Sequence, residues 1–200
     1  MALIGKTLPK YKADQLRVLK GEPLDLPPDG YPAVIELWAT WCGPCRQVAP
    51  HLSNIARKYR DKGLKVMGLS LDDVSPTLHQ FVASQGDKMD YTVAVDQYGR
   101  AGQVLMSAAR VSGIPHAFVL DDKGIVQYHG HPADPQFERA VKQVVASHKS
   151  SQPQAVKQSR EELSGMPVRE LKTMLQSRNI SFAGVTEKPE LVQLVWEQCH

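Results

Sequence analysis

Residues 41–45 read Trp-Cys-Gly-Pro-Cys, and they fall where an apolar run, 33–39, gives way to a stretch of helical periodicity, 47–62. That junction decides what the two sulfurs can do. A sulfur at a helix N-terminus faces unpaired backbone N–H groups and the positive end of the helix dipole, which favour thiolate over thiol and lower the pKa of Cys42. Cys42 is therefore the candidate attacking sulfur. Two intervening residues place Cys45 one turn on, close enough to resolve a mixed disulfide and shielded beneath the first turn. Gly43 and Pro44 shape the turn between them, because a proline without an N–H is tolerated at the start of a helix. The other chemistry open to such a pair, half of a zinc site, needs two more ligands. Cys199 and His200, the one other Cys-His cluster, stand about 150 residues away at the chain end. The expected cofactor is none beyond the Cys42–Cys45 couple itself, with no metal.

The chain has 200 residues, 42% of them hydrophobic and 22% charged, enough for one sizeable domain and a small module and too apolar for wholesale disorder. A formal charge of +3 is too small to argue for nucleic acid or an acidic membrane as partner. Three cysteines do not make a disulfide-stapled scaffold. The first residues hold no apolar stretch of signal-peptide length, and no window reaches the roughly 18 apolar residues of a membrane span. A soluble, cytoplasmic protein is expected, with the nucleus as an alternative and no membrane partner.

Along residues 1–148 short apolar runs alternate with helical patterns. Strands are expected at 33–39, 64–71 and 91–95, and a hairpin at 116–129 turning on Asp121-Asp122-Lys123-Gly124. Between and after them, 47–62, 76–84, 100–110 and 134–147 carry apolar residues at spacings of three and four. The cations Arg57, Lys58, Arg60 and Lys62 read as the solvated end of a helix, where they complement its dipole. The four prolines in 23–32 mark a turn-rich approach to the first core strand. These elements make an α/β domain, a mixed sheet covered by helices.

The run Ala33-Val-Ile-Glu-Leu-Trp-Ala-Thr-Trp-Cys-Gly-Pro-Cys-Arg-Gln-Val-Ala-Pro50 resembles the active-site segment of thioredoxins. Gly113-Ile114-Pro115 looks like the loop that carries the family's cis-proline, and Pro50 matches its helix-kinking proline. The segment 90–96 and the extra length between Leu71 and Val111 are more similar to the TlpA-like and tryparedoxin-like branches, although Arg46-Gln47-Val48 stands where the TlpA-like branch often has an acid. The resemblance implies a thioredoxin-like fold and a protein-disulfide reductase. It implies a buried Glu36 that accepts the proton of Cys45, against the alternative of a solvent-facing strand residue. It also implies a substrate surface formed by Trp41, Gly43, Pro44, Ile114 and a cis-linked Pro115, while Trp38 packs in the core. The implied partners are disulfide-containing proteins and an upstream reductant, such as a thioredoxin reductase or a dithiol. A peroxiredoxin nest is not present, since no proline stands seven residues before Cys42. His129 and His131 read as surface residues at a strand exit.

Residues 149–158 form a polar linker, and 159–200 a small all-α module. Ser159-Arg-Glu-Glu162 is a capping-box pattern, and Pro167 opens a helix with Val168, Leu171 and Leu175 on one stripe. An extended link over 179–184 leads to a last helix carrying Leu191, Leu194 and Val195. The segment from Met166 to Gly184 resembles SAP-like modules. Five basic residues face six acidic ones over 159–200, so a protein partner is expected rather than DNA. The alternative function is a redox-sensitive adaptor that recruits its partner through this module.

Overall fold

The computed structural model describes residues 3–11, 15–96, 100–151, 156, 158–176, 180, 182, 185 and 187–199. The chain forms two compact units, Met1–Lys149 and Ser150–His200. No helix among the described residues is long and apolar enough to cross a membrane.

The first unit is built on six strands: β1 (Leu16–Lys20), β2 (Ala33–Trp38), β3 (Lys65–Ser70), β4 (Thr92–Asp96), β5 (His116–Leu120) and β6 (Val126–Gly130). Their order across the sheet is β1-β4-β3-β2-β5-β6. β2, β3 and β4 run parallel, while β1, β5 and β6 pair antiparallel with their neighbours. The helices are α1 (Gly43–Tyr59), α2 (Pro76–Gln85), α3 (Ala101–Ala109) and α4 (Pro135–Ser151). This is the mixed, helix-covered sheet of a thioredoxin-like fold.

Both faces of the sheet are covered, so β2 is buried at every position. On one face Val34 and Trp38 pack with Leu52 of α1, Leu78 of α2 and Phe137 and Val141 of α4. On the other, Ile35, Leu37, Met67, Leu69 and Phe118 pack with Leu105 of α3 and with Leu3, Leu8, Leu24 and Leu26 from the segments before β2. The hairpin turn between β5 and β6 is held by Asp121, whose carboxylate accepts from Lys123 N–H and Ile125 N–H. Gly124 has φ +74°, and a Cβ there would lie 2.6 Å from Pro27 Cβ, so this turn needs glycine twice over.

Three local differences from the sequence expectation have physical causes. β1 was not expected: Arg17 and Lys20 interrupt its apolar alternation because it is an edge strand, where cations guard the open side. α1 begins four residues before the periodic stretch, because Cys42 caps it and Pro44 is accommodated in its first turn. α4 runs on to Ser151, into the expected linker.

In the second unit α5 (Arg160–Gly165) is closed by a complete capping box: Ser159 Oγ accepts from Glu162 N–H at 3.2 Å, and Ser159 N–H donates to Glu162 Oε2 at 2.6 Å. α6 (Val168–Gln176) and α7 (Lys188–Cys199) bury Leu171, Leu175, Leu191, Val192 and Val195 with Leu163 in a core of their own. Most of the expected linker beyond Ser151, and residues 179, 181, 183 and 184 of the expected extension, lie outside the described residues.

Candidate active site

β2 delivers the site. Its ladder to β3 runs one step past the end of β3, with Leu71 N–H donating to Trp38 O at 2.8 Å. The chain then turns, Cys42 N–H donating to Ala39 O at 3.1 Å, and enters α1. Cys42 is the N-cap residue, and its Sγ accepts the Cys45 N–H at 3.2 Å. The first turn of α1 holds no acid that would oppose negative charge there. Cys42 and Cys45 are joined as a disulfide, S–S 2.01 Å and Cα–Cα 5.3 Å, and both are buried.

Above the disulfide lies a small exposed rim. Trp41 is 70% exposed, Pro44 is exposed and Gly43 is half-buried. The Ile114–Pro115 bond is cis, and Ile114 O lies 3.8 Å from Cys42 Sγ. Trp41, Cys42, Ile114 and Pro115 thus meet at one end of the sheet, although 72 residues separate Cys42 from Ile114.

Below it the packing is close. Glu36 is 1% exposed and shares with Cys45, Trp38, Arg46, Phe81, Gln85, Met89 and Tyr91 the lining of a crevice too narrow for a water-sized sphere. Glu36 Oε1, Trp38 Nε1 and Tyr91 OH are buried with no hydrogen-bond partner among the described residues. Burial pushes the Glu36 carboxyl well above the ordinary carboxylate range, because nothing here replaces the water that would solvate its charge. Burial, and then the charge of Glu36, push the Tyr91 hydroxyl up as well. Trp38 is in the core, stacked 6.0 Å from Phe81.

The histidines differ from the sequence reading. His131 is exposed, but His129 is half-buried and its Nδ1 lies 3.2 Å from Nε2 of His116, a buried residue that the sequence reading passed over. Burial, with the charges of His129 and His131, lowers the His116 pKa to about 4. Tyr91 and Asp72 stand outside the motifs quoted above. The sequence signal for Tyr91 is an aromatic hydroxyl opening a buried strand; for Asp72 it is the Ser70-x-Asp72 spacing at a strand end.

Residues 5–145 match the Redoxin family profile. Over 143 residues the chain is 30% identical to the thiol-disulfide oxidoreductase ResA of Bacillus thuringiensis (strain Al Hakam), covering 70% of this chain and 78% of the relative. It is 32% identical over 135 residues to the thiol:disulfide interchange protein DsbE of Yersinia pestis, covering 66% of each. A crystal structure of a putative thiol:disulfide interchange protein DsbE from Chlorobium tepidum superposes with a TM-score of 0.57 at 26% identity, covering 74% of this chain and 99% of that one. The match takes in all six strands, the disulfide and the loop at Pro115 together, so the chain belongs to the Redoxin family and is a thioredoxin-like thiol-disulfide oxidoreductase.

Proposed function

We propose that the chain reduces disulfides in protein substrates, with Cys42 as nucleophile, Cys45 as resolving thiol and Glu36 as the acceptor of the Cys45 proton. The observation that carries this reading is the placement of Cys42 Sγ at the N-cap of α1, where it accepts the Cys45 N–H, beside the exposed Trp41 and the Ile114–Pro115 loop. In the reduced protein the Cys42 thiolate attacks one sulfur of a substrate disulfide, forming a mixed disulfide and releasing the other substrate sulfur as thiolate. Cys45 passes its proton to Glu36, whose raised pKa lies closer to that of a thiol, and attacks Cys42 Sγ. The substrate leaves as a dithiol, two electrons richer, and the Cys42–Cys45 disulfide awaits a dithiol donor. Trp41, Gly43 and Pro44 with the Ile114 backbone and Pro115 form the surface on which an extended substrate segment lies.

Insulin reduction with dithiothreitol tests this. Wild type turns over, Cys42→Ser does not, and Cys45→Ser accumulates a mixed disulfide on Cys42 that mass spectrometry locates. Turnover that survives in Cys42→Ser overturns the assignment, and no turnover in wild type favours the adaptor reading.

The second unit has its own core, and its six basic residues are matched by six acidic ones; the absence of any excess of cations supports a module for a protein partner rather than for DNA. Titration of the full chain with duplex DNA at rising salt decides between them. A steep salt-dependent affinity, absent from a chain ending at residue 149, would overturn the protein-partner reading.

A further inference from the structure

In the mechanism above the segment following β3 supplies no group, yet it grips the loop that carries Cys42. Thr40 N–H donates to Asp72 Oδ2 at 2.8 Å, and Thr40 Oγ1–H donates to Asp72 Oδ1 at 2.7 Å. The same Oδ2 accepts from Ser70 Oγ–H at 2.7 Å, and Ser70 Oγ accepts the Asp72 N–H at 3.0 Å. One carboxylate therefore holds both the main chain and the side chain of a residue 32 positions away, while Ser70 locks that carboxylate in place. Thr40 stands two residues before Cys42. Between them Trp41 is 70% exposed, so its ring gives the loop little anchorage.

We propose that Asp72 is a positioning residue for disulfide exchange: its two-pronged hold on Thr40 sets the direction in which Cys42 Sγ is presented to an incoming disulfide. This rests on the reading of Cys42 as nucleophile. The thiolate must approach along the axis of the bond it breaks, so a loop free to tilt loses rate without losing nucleophilicity. A small alkylating agent makes no comparable demand on direction. Asp72 acts by geometry and not by charge, because a carboxylate near the N-terminus of α1 opposes the thiolate. An amide can reproduce the geometry: its oxygen accepts from Thr40 N–H and Ser70 Oγ–H while its nitrogen donates to Thr40 Oγ1.

The experiment compares full-length wild type, Asp72→Ala, Asp72→Asn and Thr40→Val in insulin reduction and in the pH-dependent alkylation of Cys42 by iodoacetamide. Asp72→Ala is expected to lose about tenfold in kcat/KM on insulin and Thr40→Val about threefold, while Asp72→Asn stays within about twofold of wild type. The alkylation midpoint is expected to move by less than about 0.3 pH units in all three. An Asp72→Ala rate equal to wild type overturns the proposal, and so does an Asp72→Asn rate as low as that of Asp72→Ala, or an alkylation midpoint in Asp72→Ala that rises enough to account for its lost rate. If Asp72→Ala does not fold, Thr40→Val decides, because it removes one hydroxyl and keeps the shape; an unchanged rate there overturns the proposal. Insulin turnover persisting in Cys42→Ser would instead strike the reading of the nucleophile, and the two failures stay distinct.

Discussion

Gly68 lies directly opposite Glu36 across the β2–β3 ladder, and its missing side chain makes room for the rings that enclose the acid. A Cβ on Gly68 would stand 3.0 Å from Trp38 Nε1 and 3.1 Å from Tyr91 Cε2. Both contacts are with stiff aromatic rings inside the core, which cannot yield as the end of a flexible chain can. Gly68→Ala is therefore expected to cost about 1 to 3 kcal/mol despite alanine's better strand propensity. A urea melt that places the variant within about 0.5 kcal/mol of wild type would show that Trp38 and Tyr91 move aside freely.

Glu36 should leave its mark on the pH dependence of stability. Its carboxyl titrates well above 4.5 in the fold and near 4.5 once unfolded, so the native state holds the proton more tightly. The resulting stability is fully present below 4.5 and is lost as pH rises towards the raised value. Glu36→Gln stays neutral throughout, so it should gain on wild type by about 1.4 kcal/mol per pH unit across that window. Urea midpoints of the oxidised proteins at pH 4.5, 5.5 and 6.5 read the difference directly. A gap that does not change with pH would mean that Glu36 titrates normally.

Ser53 fixes the segment that carries Met89 and Tyr91, two residues that line the space beside Glu36. It is fully buried on α1, its Oγ–H donates to Lys88 O at 2.8 Å, and its Oγ accepts the Asp90 N–H at 2.9 Å. These two hydrogen bonds tie the chain just before Tyr91 to α1. Ser53→Ala leaves a carbonyl and an amide without their partner, at an expected cost of about 1 to 3 kcal/mol. Hydrogen exchange at the Asp90 amide should quicken in step. If the amide stays as protected as in wild type, another group has taken the place of the hydroxyl.

What can be read along the chain and what cannot divides by the range of the interaction. The sulfur pair and the cap of α1 are local, so the pentapeptide displays them. Alternation cannot say on which side Glu36 lies, because β2 is buried on both faces and neither phase of its pattern is polar. Asp72 and Thr40 meet only because β2 and β3 are paired in one register, and His116 meets His129 only through the hairpin pairing of Phe118 with His129. β1 is hidden for a different reason: an edge strand carries Arg17 and Lys20, and their charges break the periodicity that would reveal it.

His116 offers a spectroscopic check on that hairpin contact. Its Nε2 lies 3.2 Å from His129 Nδ1, with Phe118 packed edge-on 5.1 Å from its ring centre. Burial disfavours the imidazolium, and charge on His129 or His131 would repel it, so the His116 pKa falls from 6.5 to about 4. The sign is that of a depressed base: the neutral ring is preferred in the fold, its contribution is fully present above pH 6.5, and it is lost as pH falls towards 4. A proton NMR titration of the ring should give a midpoint near 4, and His129→Gln should raise it while leaving it below 6.5, since burial is the larger cause. A wild-type midpoint near 6.5 would mean that water reaches the ring and that the two imidazoles are not in contact.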